Sequence, residues 1–279
     1  AFDKALFGHV GHFTSNLVRS LMLGLTGALA TRSPVRGPTA MYFRQVKRMC
    51  SAFSFVADLV LIIFGGSFRF REKLSGRLAD SLTHLYLCSA VLKRFEDDGQ
   101  PEDDLPLVCW AMEDSLHTIQ ESLSGVLQNL PIPGVGPLAR KIVFPLGKPY
   151  NPPSDRTGKA VARLLLTENE SRDRLVSGVY FSDTDDAAGK LLNAFHLTLT
   201  SANAENAVRN ALKEPLTCDN YMHQVQRAVE SGVITEEQAT LVRLAQEANR
   251  AVIEVDEFPH GSDVDARQPA VQSAVSGVS

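Results

Sequence analysis

Five leucines restrict this chain more than any other feature. Leu74, Leu78, Leu82, Leu85 and Leu92 fall on one face of a helix at helical spacing over about residues 71–95. A long helix with a single apolar stripe must bury that stripe against other elements. Its ends are marked. Gly65-Gly66 breaks the apolar run "LVLIIF" before it, and "EDDG" closes it, with Lys93 and Arg94 in the last turn where the macrodipole favours cations. The spacing predicts that Leu78, Leu82, Leu85 and, from the next helix, Trp110 are largely buried. Leu82→Ala is then expected to cost on the order of 2–5 kcal/mol.

The neighbouring segments read the same way. Residues 4–30 form a helix in which Gly8, Gly11 and Ser15 share a stripe that would let a neighbouring helix come close. "TRSPVRGPT" breaks it, and Thr39 is placed to cap a helix running to about Phe64. "PEDDLP" opens another helix, with a proline and an acidic first turn, continuing through Leu116, Ile119 and Leu123 to Asn129. Four long helices with short joins pack most simply as an antiparallel bundle, and no strand-like alternation competes.

From Pro131 the texture changes. "PIPGVGPLARKIVFPLGKPYNPPSDRTG" is rich in Pro and Gly, with a short helix near 138–143 and a cap at Ser154 or Asp155. Weaker helices follow at about 170–176, 185–200 and 203–213. A helical hairpin then begins near Asp219, with Gly232 ending its first helix and Thr235 with Gln238 forming a capping box for its second. The expected fold is all-α: a bundle over 1–130, a Pro/Gly-rich crossover plus a small helical subdomain over 131–258, and a disordered tail over 259–279.

Charge and cysteine usage exclude several classes. A net charge of −4 does not suit a chain built to coat nucleic acid. Cys50, Cys88, Cys109 and Cys218 are scattered without a CxxC pair, which argues against a zinc site or disulfide framework and fits a reducing, cytoplasmic setting. The longest wholly apolar run, Leu59 to Phe64, is far short of the roughly 20 residues of a membrane span. The opening "AFDKALFGHVGHF" has no initiator Met and no signal-peptide pattern, and reads as a piece of something longer.

Chemistry-bearing constellations are few. Asp80 with His84, and Glu113 with His117, are i, i+4 pairs on consecutive helices. Should those faces meet, they offer metal ligands, but Asp58 is the lone acidic residue of the second helix and its spacing is wrong. The plainer reading is a hydrogen-bonded polar layer. His9 and His12 have no evident third ligand. There is no GxSxG elbow, and "GVGP" at 134–137 lacks the strand and spacing of a dinucleotide site. Arg140, Lys141, Lys148, Arg156 and Lys159 surround apolar Ile142, Val143, Phe144 and Leu146, a pattern that suits anionic headgroups or a coenzyme's phosphates, or a solvated face packed on the bundle. No residue is assigned a catalytic, cofactor-binding or metal-binding role.

Several stretches together resemble one family. "NLVRSLMLGLTGA", "FGGSFRFREKLSGRLADSLTHLYLCSAVLKRFEDDG", "DLPLVCWAMEDSLH", "FPLGKPYNPPSDRTGKAVARLL" and "VDEF" are similar to the C-terminal region of the large bacterial (FadE-type) acyl-CoA dehydrogenases of fatty-acid β-oxidation. The resemblance runs to about Phe258. It implies a parent flavoprotein in which a glutamate removes the α-proton of an acyl-CoA, FAD takes the β-hydride, and an electron-transfer flavoprotein takes the electrons. The catalytic glutamate and the principal flavin-contacting glycines belong to segments that do not occur here and would precede Ala1. FAD is therefore expected in the parent's upstream domain, and this region alone is expected to be inactive. Its expected work is packing on the catalytic domain, shielding the acyl-chain side, or supporting homodimer or peripheral inner-membrane association. A stand-alone helical interaction module is the rival. Gly65-Gly66 echoes a glycine turn that meets the flavin in the family's catalytic domain, so either flavin contact or a plain helix–turn–helix reversal is open at that point.

Overall fold

The computed structural model describes residues 2–180, 186–212 and 221–253. Among these the fold is all-α: ten α-helices, two short 3₁₀ segments and no strand. The chain divides into two compact units, residues 1–176 and 177–279. The change of texture read from sequence falls earlier, at Pro131, so the crossover and its helices lie within the first unit. The tail 259–279, Asp219 and Cys218 lie outside the described residues.

The first unit is built on α1 (Phe2–Leu25), α2 (Ala40–Phe64), α3 (Glu72–Asp97) and α4 (Leu105–Gln128). Helices α2, α3 and α4 pack on one another, and α1 lies on α2 and on α5 (Val135–Val143). α6 (Asp155–Leu165) packs on α4 and on α7 (Glu170–Val176). Met49, Phe55, Leu92, Met112, Ile119 and Leu123 fill the core with almost no exposure. The segment Ala40–Phe70 is long and apolar enough to cross a membrane by length and composition alone. Met49, Ala52, Phe55, Val56 and Val60 are nonetheless core residues of this unit.

The leucine stripe needs one correction. The buried face of α3 runs Leu74, Leu78, Ser81, Leu85, Cys88, Leu92, Phe95, alternating steps of four and three. That 3.5-residue repeat is the seam by which long helices stay in contact. Leu82 is one residue off it and stays 55% exposed, while Ser81 is fully buried with its hydroxyl donating to the Arg77 carbonyl at 2.9 Å. Trp110 likewise sits off the buried face of α4 and is 41% exposed. Sequence spacing alone had placed both in the core.

Other local signals are redirected. Among the described residues a Cβ on Gly8 or Gly11 would meet nothing within 4 Å; α1 is closely approached instead at Gly24, where a Cβ would stand 2.7 Å from Pro145 Cδ. Thr39 does not cap α2. Its hydroxyl donates to Glu96 Oε1 at 3.0 Å and ties the start of α2 to the end of α3. Ser154 does cap α6, accepting from the Thr157 amide at 3.2 Å.

In the second unit, α8 (Ala187–Leu212) packs on α9 (Tyr221–Glu230) and α10 (Glu236–Ile253), and α9 packs on α10. Sequence suggested two helices where α8 is one. Between them lies only "SA", with neither Gly nor Pro, and alanine carries a helix through such a stretch. The expected capping box is present: Thr235 Oγ1 accepts from the Gln238 amide at 3.2 Å, and Gln238 Oε1 accepts from the Thr235 amide at 2.9 Å. Gly232 has a left-handed φ of +70° and ends α9.

Candidate functional site

The crossover "FPLGKPYNPP" is gripped through one residue. Gln120 is buried on the core face of α4, amid Leu116, Ile119 and Leu123. Its side-chain amide pairs with the backbone of Tyr150 in both senses: Nε2 donates to the Tyr150 carbonyl at 2.8 Å, and Oε1 accepts from the Tyr150 amide at 3.0 Å. His117, one turn earlier, places Nδ1 3.0 Å from the same carbonyl. A prolyl-flanked irregular segment cannot satisfy its own backbone, so α4 supplies the partners.

The Tyr150 ring reaches α2. Its hydroxyl donates to Gln45 Oε1 and accepts from Arg48 Nη1 at 3.4 Å. The Arg48 guanidinium, itself buried, lies 5.4 Å from the ring centroid. Gln45 donates onward to the Gly27 carbonyl at 3.3 Å. Burial pushes the Tyr150 phenol up to about 12, with Arg48 pulling the other way, so it stays a neutral hydrogen-bonding group. At the rim, Lys148 pairs with Glu121 at 2.7 Å, and that hydrogen bond holds the Glu121 carboxyl below its ordinary range.

This cluster links α2, α4 and the turn after α1. Sequence reading missed Gln45, Arg48, Gln120 and Tyr150. The signal was present in Arg48 and Gln120, polar residues on the buried faces of otherwise apolar helices, where a partner is obligatory.

The metal candidates are not brought together. Asp80 is exposed and His84 half-buried, and His117 is engaged with the Tyr150 carbonyl. Glu113 lies near Tyr42, whose hydroxyl is raised by burial first, then by its hydrogen bond to Cys109 and by the charges of Cys109 and Glu113. Asp58 faces His12 at 3.9 Å across α1 and α2. Among the described residues no group of three or more His, Cys, Asp or Glu side chains has a metal-holding arrangement. Arg140 and Lys141 project from α5, and Leu138 and Leu146 beside them are 61% and 74% exposed.

The glycine turn begins a 3₁₀ segment, Gly65–Phe70. Gly65 ends α2 with φ +50°, a conformation that favours glycine. Among the described residues, its two chain neighbours aside, a Cβ on Gly65 or Gly66 would meet no atom within 4 Å. The turn therefore meets a conformational need of Gly65, and among the described residues no close approach requires either glycine. Beyond it lies a hollow of about 510 Å³ whose walls include Phe70, Arg71, Lys73 and Arg77.

Residues 1–258 match the family described as acyl-CoA dehydrogenase, C-terminal, bacterial type, and the chain belongs to that family. No solved structure matches the chain. The family is part of acyl-CoA dehydrogenases, enzymes that use FAD in the parent protein. The hollow after the glycine turn is lined by Phe70, Arg71, Glu72, Lys73, Leu74, Arg77 and Asn129.

Proposed function

We propose that this chain is the noncatalytic C-terminal part of a flavin-dependent acyl-CoA dehydrogenase that converts a fatty acyl-CoA to the trans-2-enoyl-CoA, with proton abstraction and hydride transfer carried out by a domain upstream of Ala1 and electrons passed to an electron-transfer flavoprotein. The family match over 1–258 carries this reading. The site supports it: the most elaborate polar cluster, around Tyr150, satisfies backbone and buries a neutral phenol, which is scaffold work. Proton abstraction needs a carboxylate within hydrogen-bond reach of the substrate's α-proton, opposite a flavin. Glu113, the helical carboxylate singled out by sequence, instead lies near Tyr42, whose hydroxyl is hydrogen-bonded to Cys109.

The test adds FAD, a long-chain acyl-CoA and an artificial electron acceptor to the purified 279-residue chain, then repeats it with the upstream domain joined in frame. Flavin retention and acceptor reduction are expected in the joined protein alone. A yellow, active 279-residue chain overturns the reading.

A second reading concerns location. Exposed Ile132, Leu138 and Leu146 beside Arg140 and Lys141 support a reading in which the protein is cytoplasmic and makes peripheral contact with an anionic inner-membrane face. Flotation with anionic but not neutral liposomes, lost at high salt, is the expected result. Equal recovery with both vesicle types, or none with either, removes it.

A further inference from the structure

Helix α3 carries a second seam beside its buried one. One residue on from Leu74, Leu78, Ser81, Leu85 and Cys88, the run Ser75, Ala79, Leu82, Tyr86 and Ser89 repeats the same alternating steps and ends at Lys93. All of its members are exposed, Leu82 at 55% and Tyr86 at 74%. An outward helix face is ordinarily charged. Between Ser75 and Lys93 this seam carries no charge, and exposed Gly76, Thr83 and Ala90 flank it. A 3.5-residue repeat keeps a long helix in contact with a neighbour, and small residues on it let the two backbones come close.

The charges at the two ends of the seam are of opposite sign. At the start of α3, Arg69, Arg71, Lys73 and Arg77 outnumber Glu72. At its end, Glu96, Asp97 and Asp98 outnumber Lys93 and Arg94, and exposed Glu102 and Asp103 follow. Lys93–Asp97 and Arg94–Asp98 are solvent-side i, i+4 pairs, a kind that contributes little and can exchange partners. Among the described residues Arg71 and Glu72 are in no ion pair. The face is therefore basic at one end, neutral along its middle and acidic at the other. A parallel helix with the same pattern would set like charges together. An antiparallel one sets opposite charges together at both ends.

The seam also matches itself. Reversed about the midpoint between Leu82 and Tyr86, it places Leu82 opposite Tyr86, Ala79 opposite Ser89, Ser75 opposite Lys93 and Arg71 opposite Asp97. The large side chains meet around the axis and the small ones further out. A hollow of about 570 Å³ beside Tyr86 has Ala90, Lys93, Asp97 and Asp98 in its walls. It lies where the basic half of the reversed helix arrives. Self-complementarity under a two-fold rotation is what an isologous interface requires.

We infer that the exposed seam of α3 binds α3 of a second copy of this chain, antiparallel, with the two-fold axis between Leu82 and Tyr86. The inference rests on the pattern and charge of α3, and its test needs neither flavin nor turnover, so it stands or falls apart from the function proposed above. One helix pair is a small interface, so the dimer is a micromolar one that exchanges with monomer.

The test is sedimentation velocity of the full 279-residue chain over a range of concentrations. Monomer is expected at the low end and dimer at the high end. Tyr86→Glu and Ala79→Glu place a charge in the seam, and each should weaken the dimer at least about tenfold. Leu138→Ser removes an exposed leucine elsewhere in the unit and should change nothing. Arg71→Glu and Asp97→Arg should each weaken the dimer on the order of tenfold, and the double variant should restore it, because both opposed pairs are then reversed together. Each of these two changes suits the macrodipole at its own helix end, so the fold is retained, and thermal melts check it. A chain that stays monomeric throughout, a dimer indifferent to Tyr86→Glu and Ala79→Glu, or a double variant no better than the singles would each overturn the inference. Hydroxyl-radical footprinting of Tyr86 reads the occupant directly. Protection that grows with concentration of the 279-residue chain is expected. Protection only with the upstream domain joined in frame would assign the seam to that domain and overturn the dimer.

Discussion

The two compact units are both helical, yet their cores are made of different material. Around α2, α3 and α4 the buried side chains are large: Met49, Phe55, Leu92, Met112, Ile119, Leu123. Around α8, α9 and α10 they are mostly small: Ala204, Val208, Val225, Ala228, Ala239, Val242. Transfer free energy scales with apolar area removed from water. The first unit therefore gains much more per buried residue. Small residues bring helix axes together but contribute little apiece, so the second unit leans on its caps and on polar links such as the Thr198–Asn249 contacts at 2.9 and 3.2 Å. Polar groups in the first unit have another task, because its large core must also hold an irregular crossover.

The sharpest way to break this comparison is to truncate the large core. Leu123→Ala, at a position with no exposure, should cost about 2–5 kcal/mol, read as a lower urea midpoint. An unchanged midpoint would deny that this core dominates.

Gln120→Leu keeps the volume and removes the partners of the Tyr150 amide and carbonyl. A loss of roughly 1–3 kcal/mol is expected, as for other stranded buried polar groups, with faster proteolysis of residues 145–153. A neutral result would show that water replaces the amide and that the grip on Tyr150 is incidental.

In the small core, Val225→Ala removes methyl groups from a fully buried site and should cost about 1.5 kcal/mol. Amide exchange over 221–253 measures it. A loss as large as that of Leu123→Ala would erase the contrast between the units.

Asp104 tests how the first unit holds α7. Its carboxylate accepts from Arg174 Nη2 at 2.8 Å and Nε at 3.1 Å, and that hydrogen bonding, then a hydrogen bond from Ser171 and the Arg174 charge, holds its carboxyl below the ordinary range against the effect of burial. A depressed carboxyl contributes stability above its unfolded value and loses it as pH falls through the folded one. Asp104→Asn should therefore lower the Tm at neutral pH, with the difference from the parent chain fading below about pH 4. A difference that persists unchanged at pH 2 would assign the effect to packing.

The smallest effect is expected at Leu82. Off the seam and half-exposed, Leu82→Ala should stay within about 0.5 kcal/mol of the parent chain. A cost of several kcal/mol would restore the leucine stripe in its simplest form.

Cap chemistry and breaks were legible in the sequence because they are local. Gly232, Ser154 and the Thr235–Gln238 box act within one turn of themselves, and the structure shows each of them in place. The residues around the Tyr150 cluster were not legible as a set. Gln45, Arg48 and Gln120 lie far from Tyr150 in sequence, and their common purpose exists only once α2 and α4 are side by side.

The sequence by itself determined an all-helical chain, its main helix ends, and membership of a family, since period, caps and extended motifs are properties of neighbouring residues. Tertiary structure alone decided which of the periodic residues are core. Helical spacing leaves Ser81 and Leu82 adjacent and nearly equivalent, and the 3.5-residue seam between α3 and its neighbours chose the serine. It also decided which cations find a carboxylate, as Arg174 does with Asp104, because a charge is satisfied only through what folding brings beside it.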